Sequence, residues 1–118
     1  MMKGNLIQEI SFKFALDIVK LYSLLKQSNE HVLAKQLLRS GTSIWANVEE
    51  AIAWQTKKDF ISKMSIASKE ARESRYRLRL LSESKITTID FESYLKNVES
   101  IINVLTKIVK TTAENIKK

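Results

Sequence analysis

The sequence predicts an all-α protein, an antiparallel up-down four-helix bundle, on three observations. Apolar residues recur at spacings of three and four through most of the chain, which is the period of an amphipathic helix. The 118 residues include no proline and only two glycines, whereas β folds need turn residues at short intervals. Short polar stretches separate four such segments, and short connections favour antiparallel neighbours.

A chain of this length builds one hydrophobic core, so we predict a single domain over residues 1–118. The four predicted helices span about residues 7–27, 30–54, 57–83 and 88–116. The apolar stripe of the first helix comprises Phe12, Ala15, Ile18, Val19, Tyr22 and Leu25.

The second helix is predicted to continue through the stretch SGTSIWANVEEA, although its first letters are typical of a turn. Its apolar line keeps one phase through that stretch and comprises Leu33, Leu37, Gly41, Ile44, Val48 and Ala51. Glycine in a helix interior costs about 1 kcal/mol relative to alanine, so we expect Gly41 to allow close approach of a neighbouring backbone. Ser28 or Asn29 is the expected N-cap.

Capping residues also mark the predicted starts of the third and fourth helices. Thr56 is followed three residues later by Asp59, and Thr87 and Asp90 repeat the pattern. The apolar face of the third helix comprises Phe60, Met64, Ala67, Ala71, Leu78 and Leu81. That of the fourth comprises Phe91, Leu95, Val98, Ile102, Leu105 and Val109, in the alternating spacing of a coiled-coil seam.

Two further apolar lines lie beside these stripes and leave two interpretations open. The residues of the two lines are Leu38, Trp45 and Ile52 in the second helix and Tyr94, Ile101 and Ile108 in the fourth. They are either the edges of a wide core face or an interface between copies of the chain. We favour the interface, and with it a homo-oligomer. Ser40 and Asn47, in phase with Trp54, would add a polar edge to it.

Positive charge is concentrated in the third helix. The net charge is +7, and residues 56–86 hold nine basic and four acidic side chains. One third of the helix circumference, at about 100° per residue, carries the candidate nucleic-acid-binding residues. These are Lys57, Lys58, Lys69, Arg72, Arg75, Tyr76 and Arg79, and Glu83 is expected to be the only acid on that side. Arginine binds phosphate through two N–H groups at once and tyrosine stacks on bases, so the pattern favours a nucleic acid. The alternative is a solvated face whose long stems cover the edge of the core.

Catalytic chemistry has little support in the sequence. His31 is the only histidine, cysteine is absent, and no glycine-rich phosphate loop or Glu-x-x-His pair is present. We therefore predict no enzyme activity, no catalytic residue, no metal and no cofactor. The lack of cysteine and of a long apolar run predicts a cytoplasmic protein without membrane contact.

The stretch from Leu33 to Ser84 resembles the bacterial four-helix bundle proteins encoded in 23S rRNA intervening sequences. The matching positions are Arg39, Ser43, Ile44, Asn47, Glu50, the KKDF at the start of the third helix, Ile66, Ala67 and Glu73. The first and fourth segments match in pattern only. The departures from the family pattern are Trp45, Ala53, Trp54 and Arg77.

This resemblance implies a small non-enzymatic bundle that assembles as a homopentameric ring. It also implies nucleic acid and a reverse transcriptase as partners, because a relative is the accessory protein of diversity-generating retroelements, which binds both. The sequence and the resemblance together predict a homo-oligomeric, RNA-binding bundle that uses the basic face of the third helix. The alternative is a protein-interaction scaffold or accessory subunit without direct contact to nucleic acid.

Overall fold

The computed structural model describes residues 3–53 and 56–117, which form four helices. The helices are α1 (Lys3–Gln27), α2 (Val32–Ala53), α3 (Lys57–Ser84) and α4 (Glu92–Lys117). Each helix packs on the next and α4 returns against α1, which closes a bundle of 50 × 24 × 22 Å. The all-α bundle is confirmed. Trp54, part of the predicted polar edge, lies outside the described residues.

The predicted core lines of α2 and α3 lie inside the bundle. Among the residues predicted as core and found buried are Leu37, Ile44, Val48, Met64, Ala71 and Leu78. Ser74 continues the buried line of α3, and its hydroxyl donates to Ser40 Oγ on α2 at 2.8 Å. Both serines are buried, so this hydrogen bond joins α2 to α3 within one chain rather than forming a polar edge between copies.

The predicted stripe of α1 is partly wrong. Phe12 and Val19 are 47% and 49% exposed, whereas Phe14 and Leu21 occupy the core. Apolar residues are spread over so much of the circumference of α1 that periodicity alone does not select one stripe. Packing against α2 on one flank and α4 on the other selects the line through Phe14 and Leu21.

The link between α1 and α2 differs from the prediction. Asn29 has a left-handed backbone with φ 63°. Its N–H donates to the carbonyl of Lys26 at 3.1 Å, and the N–H of Glu30 donates to that of Leu25 at 3.2 Å. These two bonds form a Schellman motif, so Ser28 and Asn29 end α1 rather than cap α2.

The start of α3 agrees with the prediction and that of α4 does not. Thr56 caps α3, because its hydroxyl oxygen accepts from the N–H of Asp59 at 3.1 Å. The Thr87 oxygen instead accepts from the N–H of Ile89, and Asp90 Oδ1 accepts from that of Glu92. These bonds form two successive turns, so α4 begins four residues later than the predicted residue 88.

Gly41 lies against a side chain rather than a backbone. A Cβ at this position would meet both Cγ atoms of Ile18 at 3.0 Å. Ile18 is fully buried, and a β-branched residue in a helix has little freedom to change its rotamer. The close approach expected at Gly41 is therefore made by the branched side chain of Ile18 on α1.

Replacing Gly41 by alanine is expected to lower the free energy of unfolding by about 1 kcal/mol. Overpacking costs about 1–3 kcal/mol and outweighs the gain of about 1 kcal/mol in helix propensity. Urea denaturation measures the change. Ala46→Gly, at an exposed position of the same helix, calibrates the propensity difference. An increase in stability at Gly41→Ala as large as the loss at Ala46→Gly would contradict a tight contact with Ile18.

Candidate nucleic-acid interface

All seven candidate residues of α3 lie on the side of the helix that faces away from the core. Arg75 is half-buried and the other six are exposed: Lys57, Lys58, Lys69, Arg72, Tyr76 and Arg79. We call these seven residues the basic face. They share this orientation because the buried residues of α3, from Met64 to Leu81, lie on the opposite side of the helix.

Two arginines of the basic face are paired with carboxylates. Arg75 Nη1 donates to both carboxylate oxygens of Glu99 on α4 at 3.1 Å, and Arg79 Nε donates to Glu83 Oε2 at 2.9 Å. Glu83 is therefore not the only acid on this side. The part played by Glu99 is not visible from the periodicity of α3, because the residue belongs to another helix.

Arg72 differs from these two arginines because its partner is neutral. Its Nη2 donates to the hydroxyl of Thr106 on α4 at 3.3 Å, and no described carboxylate pairs with it. The hydroxyl orients the guanidinium without cancelling its charge. Of five N–H donors in an arginine, this hydrogen bond uses one. Arg72 is thus held in place with donors left for an anion.

Tyr76 presents its ring between two shallow depressions. The side chain is 62% exposed. One depression, of about 600 Å³, is lined by Arg72, Arg75 and Arg79 among others, and the second, of about 450 Å³, includes Lys69 and Arg72. An exposed aromatic ring among cations can stack on a base while the cations meet phosphates.

The α2–α3 side of the bundle is polar, and its charges are paired only in part. The buried atoms Glu70 Oε1 and Arg77 Nη1 have no hydrogen-bond partner among the described residues. Lys63 Nζ lies 3.6 Å from Glu50 Oε1, and Arg77 pairs with Glu73 at 3.6 Å. Glu50, a position that matches the family pattern, thus takes part in an intrachain ion pair. Asn47 Nδ2 donates to the carbonyl of Ser43 in its own helix at 2.8 Å. This bond uses one of the two N–H groups of the Asn47 amide, so its part in a polar edge between copies stays a prediction.

The predicted interface line on α4 is part of the core. Ile101 and Ile108 are 1% and 5% exposed in the single chain. Tyr94 is half-buried beside Phe91, with ring centroids 6.5 Å apart. Burial, together with the negative charge of Asp17, raises the pKa of Tyr94. The prediction that Ile101 and Ile108 contact a second copy is corrected, since α4 has a wide core face that packs on α1 as well as α3. For the half-buried Tyr94 it stays a prediction.

The predicted interface line on α2 remains at the surface. Ile52 is exposed, and Leu38 and Trp45 are half-buried. The ring of Trp45 packs on that of Phe12 with centroids 5.3 Å apart at 59°. Because α1 and α2 are antiparallel neighbours, further apolar residues lie on both helices along the same side as this contact. We call this surface the apolar strip. Its members are Phe12, Leu16 and Val19 of α1 and Leu38, Trp45 and Ile52 of α2.

Two kinds of site are missing from the part of the chain that the structure describes. In residues 3–53 and 56–117, no three His, Asp or Glu side chains group closely enough to hold a metal ion. No helix over the same residues has the length and apolar character needed to cross a membrane.

The fold and its outer surface define a four-helix bundle with a cationic face on α3. A model of the 23S rRNA-intervening sequence proteins matches residues 3–107, and the chain belongs to this family. The chain is similar to the crystal structure of a protein of unknown function from the S23 ribosomal protein family of Bacteroides thetaiotaomicron VPI-5482. The two share 43% identity over 92% of this chain and 99% of that one, with a TM-score of 0.86. A comparison with curated proteins gives no match. The resemblance seen from Leu33 to Ser84 is thereby confirmed.

If the basic face binds nucleic acid, replacing Glu99 by glutamine should strengthen binding of a labelled, mixed-sequence RNA about two- to fivefold. The substitution releases Arg75 from a carboxylate, and an exposed ion pair of this kind is worth about 0.2–1 kcal/mol. Fluorescence anisotropy measures the affinity. Glu9→Gln on α1 changes the net charge equally and is the matched control. Equal effects of the two substitutions would indicate that only the net charge matters.

Proposed function

We propose that this protein is a non-enzymatic, cytoplasmic, homo-oligomeric bundle that binds nucleic acid, chiefly RNA, through the basic face of α3. The observation that carries the proposal is the combination of Arg72, held by a hydroxyl instead of a carboxylate, with the exposed ring of Tyr76 one turn away. Phosphate contacts supply affinity without regard to sequence, and base stacking adds to it.

Two further observations favour RNA as the acidic partner. The family to which the chain belongs is named after an intervening sequence of 23S rRNA, and the similar crystal structure belongs to a family with a ribosomal name. The sequence has a predicted pI near 9.7, so the protein is cationic at neutral pH. A localised positive surface attracts polyanions and speeds their association.

The double substitution Arg72→Ala with Arg75→Ala is expected to weaken binding for all RNA and DNA sequences alike, because phosphate contacts carry no sequence information. Binding of the unaltered protein should fall steeply as salt rises. An electrophoretic shift assay with mixed RNA and DNA, repeated over a range of salt, tests both points.

Lys20→Ala with Lys35→Ala removes the same number of charges from exposed positions of α1 and α2 and is the control. The absence of any complex at low salt would rule out the proposed function. A loss in the control equal to that in the arginine variant would place binding elsewhere on the surface.

The proposed assembly is a homo-oligomer, with a pentameric ring as the form that the family resemblance implies. The apolar strip supports a contact between copies, since Phe12, Leu16 and Val19 leave almost half of each side chain exposed. A run of apolar residues along two adjacent helices is larger than the single exposed apolar side chains common on monomers. In a ring, the basic faces of several copies would act on one strand, which raises affinity through effective concentration.

Replacing Leu16 by glutamate is expected to convert the oligomer to a monomer while the helical content is retained. In the oligomer, the new carboxylate would be buried between two copies without a partner, which opposes association. In the monomer, position 16 is half-exposed, so the substitution lowers the stability of the folded chain little. Light scattering at micromolar concentration measures the mass. Ile86→Glu, at an exposed apolar residue between α3 and α4, is the control. A monomeric unaltered protein would contradict the assembly, and an oligomer that survives Leu16→Glu would exclude the strip.

A protein-interaction scaffold, for example an accessory subunit of a reverse transcriptase, is the second candidate. The pairing of Arg75 and Arg79 with carboxylates favours it, because a solvated face neutralises its own charges in this way. The same shift assay separates the two candidates, since a scaffold without direct contact forms no complex with free RNA or DNA.

A further inference from the structure

A notch between α3 and α4 adjoins the basic face and includes residues that the sequence did not single out. Its volume is about 300 Å³. The residues that line it are Ser65, Ser68 and Arg72 of α3 and Thr106, Val109 and Lys110 of α4. Two of these six side chains are cationic, three carry hydroxyls and none is acidic. Such a set offers hydrogen-bond donors to an anion from two helices at once.

The charges at this notch are not cancelled by neighbours in the described chain. Arg72 is anchored by Thr106, and Lys110 is exposed and forms no salt bridge with a described carboxylate. Arg75 lies one turn from Arg72 and is neutralised by Glu99 at 3.1 Å. The positive charge at the notch is therefore less cancelled by carboxylates than the charge of Arg75 and Arg79.

The donor set fits a phosphate group. A phosphodiester has two non-bridging oxygens that share one negative charge. A guanidinium can donate two N–H groups to them, and an ammonium adds a third donor. The hydroxyls of Ser65, Ser68 and Thr106 can donate as well as accept, so they adapt to the remaining oxygens. Val109 closes the floor of the notch with an apolar side chain.

Arg72 also connects the notch to Tyr76. It lines the notch and both depressions on either side of the tyrosine ring. Arg72 and Tyr76 are four residues apart, which is about 6 Å along a helix axis. A phosphate at the notch and a base on the ring can thus belong to neighbouring parts of one strand. Only an unpaired base has a face free to stack on a protein ring.

From this arrangement we infer that the notch is a phosphate subsite for a single-stranded nucleic acid, with Lys110 and Arg72 on the phosphate and Tyr76 beneath a base. The inference rests on the proposed function and assigns to it a strand type and a contact on α4. It makes Lys110 a binding residue, although this lysine lies outside the helix that carries the basic face.

The first test replaces Lys110 by glutamine and follows binding of a fluorescently labelled, single-stranded RNA of mixed sequence over a range of salt. For each copy that contacts the strand, the affinity should fall about two- to fivefold, as for loss of an exposed ion pair. The slope of log K against log salt should become shallower by about 0.7, the value for one phosphate of a single strand. Lys107→Gln, at an exposed lysine of α4 that does not line the notch, is the matched control and should change both quantities less.

Two further variants test separate parts of the inference. The first tests the orientation of Arg72 without changing charge, and the second tests the preference for single-stranded over duplex RNA. Thr106→Val removes the hydroxyl that holds Arg72 but no charge, so it should weaken binding and leave the salt slope unchanged. Tyr76→Ala should reduce the preference for single-stranded RNA over the same sequence as a duplex, whereas Tyr76→Phe should retain it.

The outcomes distinguish this inference from the function on which it rests. If the unaltered protein binds no RNA or DNA at low salt, the proposed function is wrong and the subsite falls with it. If the protein binds RNA and Arg72→Gln weakens that binding, but Lys110→Gln and Lys107→Gln change the affinity equally, the proposed function stands and the notch is not a subsite. Equal affinity for single-stranded and duplex RNA would overturn the assignment to a single strand.

Discussion

The hydrogen bond between Ser74 on α3 and Ser40 on α2 is the contact on which the orientation of α3 depends. Both hydroxyls are buried, and a buried hydroxyl without a partner costs about 1–3 kcal/mol. Each hydroxyl also lies near a carbonyl of its own helix. A hydroxyl has one proton to donate, so Ser40 can donate to the Leu37 carbonyl while its oxygen accepts from Ser74. Larger residues at either position would separate the helices. The pair therefore favours one register and one rotation of α3 against α2.

This rotation decides what the opposite side of α3 presents. With Ser74 directed to α2, Arg72 and Arg75 lie along the edge shared with α4, where Thr106 and Glu99 meet them. One arginine receives a neutral partner and the other a charged one. The electrostatic character of the surface is thus set by α4 as much as by α3, and a change on α4 can alter binding without touching the basic face.

Sequence periodicity predicted α2 and α3 well because each has one dominant apolar line, and Gly41 kept the phase of its line through a turn-like stretch. It failed for α1, where Phe12 and Val19 compete with Phe14 and Leu21, and for α4, where Ile101 and Ile108 proved to be core. Periodicity describes one helix at a time. It placed the basic face correctly but could not find residues that reach the face from a neighbouring helix. Finding those residues requires the register of α3 against α4, which the periodicity of a single helix does not contain.

If the surface binds an anion as proposed, the carboxylates that pair with Arg75 and Arg79 favour a ligand with several charges over one with a single charge. A small monovalent anion has to displace a tethered carboxylate of equal charge, whose local concentration is high because it is covalently part of the bundle. A polymer with closely spaced charges can occupy the position beside Arg72 first and then compete for the adjoining arginines from a short distance. Under the proposed function, the internal ion pairs would favour long anionic chains over small anions by about 0.2–1 kcal/mol each, the usual worth of an exposed ion pair.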